Sequence, residues 1–306
     1  METVVNSILP VFLLVAFGYV LRRRNIMQEC TEDFLNSLAY YLLLPSMIFI
    51  SIYKADFSEI FSAKIIAGLY AAAFAVFLIA AAAAKLMPRE KRGGFVLPSF
   101  RTNIAYIGFP VIMNAYGAKA LAEIGMITGF IAPFLIILSI IYLNIQHREM
   151  AGKAGSLWGH IVKDPLVISS IAGIAFSYFR LPLPKFAVNT VDMLASMGSP
   201  LILMSVGAGL KISTIKNDRL IIAFASAFKL FLQPLMVYAL FRFLIPLDNE
   251  MHFKVAVMTF AFPSALSTYI MVKQYKSDHE MTAAIIMVTT LLSIFTMSAW
   301  ILILAK

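Results

Sequence analysis

Residues 98–110 read PSFRTNIAYIGFP and residues 259–269 read TFAFPSALSTY. Each stretch sits in an otherwise apolar run. The first packs Pro98, Arg101, Asn103, Gly108 and Pro110 together, the second Pro263, Ser264, Ser267 and Thr268. Proline removes an amide donor and clashes with the preceding turn, so a helix frees backbone groups there. In hydrocarbon such groups are costly unless protein, water or a ligand satisfies them. Two breaks at one depth predict two interrupted helices that cross. Their half-helix N-termini would meet with free amides and partial positive charge, which suits an anion.

Composition sets the solvent for those breaks. Of 306 residues, 61% are hydrophobic and 13% charged, with mean hydropathy +0.86. A soluble domain runs nearer ~25% charged, so this chain has too little polar surface for water and is read as a membrane protein within the lipid bilayer. A single cysteine, Cys30, excludes an internal disulfide. The net charge of +9 comes from short basic runs between apolar stretches, such as Arg22–Arg24 and Lys85, Arg89, Lys91 and Arg92. Runs of this kind suit anionic lipid and topology, not nucleic acid.

About 20 helical residues cross a bilayer core. Charge-free runs of about that length are Thr3–Leu21, Phe34–Tyr53, Ile65–Ala84, Ile124–Gln146, Pro165–Phe179, Met193–Leu210, Val255–Val272 and Met281–Ala305. Phe95–Ala118 and Leu220–Phe241 join them if Arg101 and Lys229 are tolerated. The first run is expected to be a retained span, because its basic cluster follows the apolar stretch, whereas a cleaved signal carries it in front. Loops after odd-numbered spans hold fifteen Lys and Arg; the remaining loops and the termini hold eight. That bias predicts odd loops in the cytoplasm and both termini outside.

The fold expected is therefore an all-α polytopic membrane protein with ten transmembrane helices. They form two inverted five-helix repeats with broken, crossing helices four and nine. The first repeat is residues 1–146, the connecting cytoplasmic loop 147–163 and the second repeat 164–306. Pairing Tyr116 with Tyr275 gives an offset of 159 between repeats, which sets Asn103 and Ile104 against Phe262 and Pro263.

Four segments together resemble the auxin efflux carrier family, which includes bacterial malonate and malate permeases and plant auxin exporters. They are FRTNIAYIGFPV from Phe100, GSPLILMSVGAGL from Gly198, KLFLQPL from Lys229 and FPSALSTYIMVKQY from Phe262. The fourth-span pattern is carried by Arg101, Asn103, Tyr106, Gly108 and Pro110, and the ninth by Pro263, Ala265, Tyr269 and Tyr275. The resemblance implies a carboxylated substrate bound where the breaks cross, a panel moving against a scaffold, and a homodimer. The chain departs from the family in offering the hydroxyls of Ser264, Ser267 and Thr268 where an extra proline or asparagine is common.

The substrate-binding set is thus Arg101, Asn103, Tyr106, Gly108, Pro110, Pro263, Ser264 and Ser267. Arg101 reads either as a counter-ion for a carboxylate or as a snorkelling side chain near the cytoplasmic end. Lys229, ten residues into its span, is expected to pair with a carboxylate or with freed carbonyls, as a structural tether or a stand-in for a coupling cation. Asp192 is read as a helix-end acid ahead of a proton-coupling role. His147, His160, His252 and His279 lie far apart in loops and predict no metal site.

No catalytic motif is present, so the chain is not expected to be an enzyme, and no cofactor is implied beyond H+ or Na+ coupling. The expected function is a secondary carrier of small organic anions, mono- or dicarboxylates, in the cytoplasmic (plasma or inner) membrane by alternating access. A channel, or a sensor without turnover, is the competing reading.

Overall fold

The computed structural model describes residues 2–56, 61–146, 163, 165–209 and 218–305. The expected connecting loop 147–163 thus lies outside the described residues except for Lys163. The described residues are helical, with no strand and one antiparallel bridge between Thr102 and Ser264. Among the described residues, six helical segments are long and apolar enough to cross a bilayer: Phe34–Lys54, Ala63–Ala84, Ile104–Gln146, Lys185–Ala208, Arg219–Leu244 and His279–Leu304.

In chain order, α1 is Glu2–Arg23, α2 is 29–54 with a wide π-turn at Ala39–Leu43 and α3 is Ala63–Ala84. Helix α4 is Arg89–Phe100. A π-turn at Ile104–Gly108 then opens the run to Gln146, which breaks at Gly117 (φ 81°, ψ −172°) into α5 (104–116) and α6 (118–146). Glycine alone occupies that backbone region without strain. There follow α7 Pro165–Tyr178, α8 Lys185–Ala208, α9 219–244, α10 Glu250–Ala261, α11 Ser267–Gln274 and α12 His279–Leu304.

Asn249 and Asp278 cap α10 and α12, their side chains accepting from the Met251 and Met281 amides at 2.8 and 2.9 Å. Each cap satisfies an amide that a helix start leaves open.

Four helices start five or more residues before their apolar runs: α2 at Glu29 rather than Phe34, α4 at Arg89 rather than Phe95, α8 at Lys185 rather than Met193 and α10 at Glu250 rather than Val255. All four gain polar turns, because a helix satisfies its own backbone bonds whether or not its side chains are apolar. Asp192 is accordingly two turns inside α8, not in its first turn.

The chain divides into two compact units that interleave along the sequence. One takes residues 1–62, 105–130 and 160–210; the other takes 63–104, 131–159 and 211–306. Each therefore draws on both sides of the connecting loop, so spatial units and sequence halves are different divisions of the chain.

In the first unit α1 and α8 touch backbone to backbone. A Cβ on Gly18 would strike the Met204 carbonyl, and one on Gly207 the Val15 carbonyl. Without a hydrophobic effect in lipid, close approach through small residues holds helices together. Helix α2 packs on α7 and α8, and the Lys54 ammonium meets the Asp192 carboxylate at 2.6 Å.

In the second unit α4 packs against α3, α9, α11 and α12, and α10 against α9 and α12. Phe95, Phe100, Phe260 and Phe262 are fully buried there. The start of α4 is tied to the α11–α12 turn, the Glu90 carbonyl accepting from the Asp278 amide at 3.1 Å and the Ser277 hydroxyl at 2.6 Å.

Candidate functional site: a crossing of two broken helices

Helices α4 and α10 have 12 residues each and start 161 residues apart. Helix α10 stops ahead of Phe262 and Pro263, where proline cannot continue it, and α4 stops ahead of Arg101, whose backbone is extended. The extended residues that follow run antiparallel. The Asn103 amide donates to the Pro263 carbonyl at 2.9 Å, and the Ala265 amide to the Arg101 carbonyl at 3.3 Å.

Before the breaks the offset is thus 161. The offset of 159 pairs Tyr116 and Tyr275, each followed by a positive-φ residue, Gly117 (φ 81°) and Lys276 (φ 55°). The stretch from break to turn is two residues shorter the second time, which the tyrosine pairing alone cannot register.

Four carbonyls released by the two breaks, those of Pro98, Phe100, Thr259 and Phe260, are met by side-chain donors. Pro263 has no N–H for the Thr259 carbonyl four residues back, and the Thr102 hydroxyl donates to it at 2.8 Å. The Ser264 hydroxyl returns the favour, donating to the Pro98 carbonyl at 2.7 Å. The Ser264 amide donates to the Thr289 hydroxyl at 3.3 Å. From α9, the Gln233 amide group donates to the Phe100 carbonyl at 2.8 Å and the Lys229 ammonium to the Phe260 carbonyl at 3.3 Å. Lys229 also donates to the Gln233 side-chain oxygen. A buried backbone group without a partner would cost about 1–3 kcal/mol.

The Arg101 guanidinium turns toward α11, donating to the Ser267 hydroxyl at 3.1 Å and approaching the Met271 sulfur. It is 8% exposed, so its side chain is buried in the protein and does not reach for the surface. Ser267 opens α11. The next residue, Thr268, is fully buried, and its hydroxyl has no hydrogen-bond partner among the described residues. A guanidinium, two hydroxyls and a helix N-terminus make a local positive potential that suits a carboxylate.

Of the residues singled out from sequence, Arg101, Asn103, Pro263, Ser264 and Ser267 gather at this crossing, all in one compact unit. Tyr106, Gly108 and Pro110 belong to the other unit. Gly108 and Pro110 are buried and Tyr106 half-buried. Lys229 is fully buried on α9 and reaches carbonyls, not a carboxylate. Asp192 lies far along the chain in the first unit, paired with Lys54. Two surface depressions, about 340 and 470 Å³, are lined by other residues: Tyr53, Lys54 and Arg180 in the first, Lys91, Lys273 and His279 in the second.

Sequence reading passed over Thr102 and Gln233. Gln233 carries a usable signal, a lone amide in an apolar span one turn after a lysine; Thr102 carries none, because threonine is common in membrane helices.

A family model described as membrane transport protein matches residues 3–301. The chain is 27% identical to an uncharacterised transporter of Methanocaldococcus jannaschii, over 96% of this chain and 97% of that protein. It is 24% identical to a Rhizobium meliloti protein named "Putative malonate transporter", over 97% and 95% of the two chains. Similarity at 23% extends to the mouse lysosomal cholesterol signaling protein, covering 97% of this chain and 37% of that one.

Proposed function

The chain belongs to the auxin efflux carrier family of membrane transport proteins, and from that premise we propose that it is a secondary carrier of small carboxylates. Ten helices in two inverted five-helix repeats cross the cytoplasmic membrane in this reading, with both termini outside, and the carrier works as a homodimer. The observation that carries the reading is the crossing, where a buried Arg101 stands beside the Ser267 hydroxyl and the start of α11. A substrate carboxylate takes its charge complement from Arg101 and α11 and hydrogen bonds from Thr268 and Asn103. The burial of these residues supports a cycle that uncovers the site to one side at a time, as in alternating access. The malonate named for the Rhizobium relative makes a short dicarboxylate the first candidate.

The test is thermal stabilisation of the purified protein by a panel of mono- and dicarboxylates, indole-3-acetate included. A ligand that binds the native state raises Tm with the logarithm of its concentration. One carboxylate is expected to raise Tm in the wild type and not in Asn103→Ala, and to show saturable counterflow in liposomes. Stabilisation by no anion would overturn the substrate class. Flux that fails to saturate or exchange would favour a channel.

A further inference from the structure

Lys229 is fully buried, and its ammonium has two partners, the Phe260 carbonyl and the Gln233 side-chain oxygen, neither of them charged. A buried ammonium is costly unless something negative faces it. What faces this one is the end of α10, with the end of α4 two hydrogen bonds away, from Lys229 to Gln233 and from Gln233 to the Phe100 carbonyl. Each helix C-terminus carries about half an elementary negative charge, so two of them offset one ammonium. Three other carbonyls of the crossing, those of Pro98, Thr259 and Phe100, receive neutral donors from Ser264, Thr102 and Gln233. Lys229 also sits in the wide π-turn Phe228–Leu232 of α9. Such turns are rare and concentrate at functional sites.

We propose that the Lys229 ammonium is a built-in cation, occupying the place a coupling sodium ion would take between converging helix ends, so that the carrier cycle needs no sodium. Sodium takes the same oxygen ligands that Lys229 engages, and one positive charge is enough. The statement about transport rests on the carrier reading; the statement about the cation does not, and stability can test it alone.

The experiment compares Tm of the purified full chain in sodium chloride and in choline chloride at equal ionic strength. The wild type is expected to melt at the same temperature in both. Lys229→Arg keeps the charge and should melt close to the wild type in choline. Lys229→Met fills the space without charge and should melt lower in both salts. Lys229→Ala opens the site and should melt lower in choline, with sodium restoring about 3 °C in a saturable manner. A saturable, sodium-specific rise in the wild type would overturn the proposal. So would a Lys229→Met protein as stable as Lys229→Arg, a comparison that holds even if Lys229→Ala does not fold. If carboxylate counterflow fails while these melting results hold, the carrier reading falls and the built-in cation stands.

Discussion

At the scale of single residues, the crossing is held by side chains that replace missing helix bonds. Thr102→Val removes the hydroxyl that serves the Thr259 carbonyl and keeps the shape. It is expected to cost about 1–3 kcal/mol, read as a lower Tm of the purified protein. Asp192 offers the contrast. Its ion pair with Lys54 is solvent-facing, the two side chains being 39% and 51% exposed, and exposed pairs contribute at most about 1 kcal/mol. Asp192→Asn should leave both melting and uptake nearly unchanged; lost uptake at normal Tm would give that acid a place in coupling. The sequence made Arg101, Asn103, Pro263 and Ser264 visible because charge, amide and proline are rare inside apolar runs. It could not reveal which carbonyl each donor serves, since that depends on a chain crossing between residues 157 to 166 positions apart.

At the scale of elements, apolar run length located the helices but not their starts. The polar first turns of α2, α4, α8 and α10 carry no hydropathy signal, and the two-residue difference after the breaks escaped a register anchored on tyrosines. Glycines were legible only as small residues; the structure separates two kinds on α8. A Cβ on Gly198 would meet the Met47 sulfur at 3.5 Å, an ordinary contact, whereas one on Gly207 would strike the Val15 backbone. Gly198→Ala is expected to shift stability by less than about 1 kcal/mol, with helix propensity in its favour. Gly207→Ala must push α1 away and should cost about 2–3 kcal/mol. Thermal melts of the two variants side by side check the contrast, and equal melting would remove the close α1–α8 contact.

At the scale of the whole molecule, the connecting loop divides the sequence while the compact units ignore that division. Charge bias and span count pointed to the first division and are blind to the second, which is set by packing between distant segments. Fragments 1–146 and 164–306 each lack part of both units. Expressed singly, each is expected to be degraded; expressed together, they should copurify through a tag on one. A fragment that accumulates and melts cooperatively alone would contradict this. The crossing also puts a clock on biogenesis. The Phe100 carbonyl leaves the ribosome 133 residues before the Gln233 that serves it, and the Pro98 carbonyl 166 residues before Ser264. Through that interval a nascent chain holding a charged, unwound segment must be sheltered by the translocon or an insertion chaperone, and quality control can inspect it there.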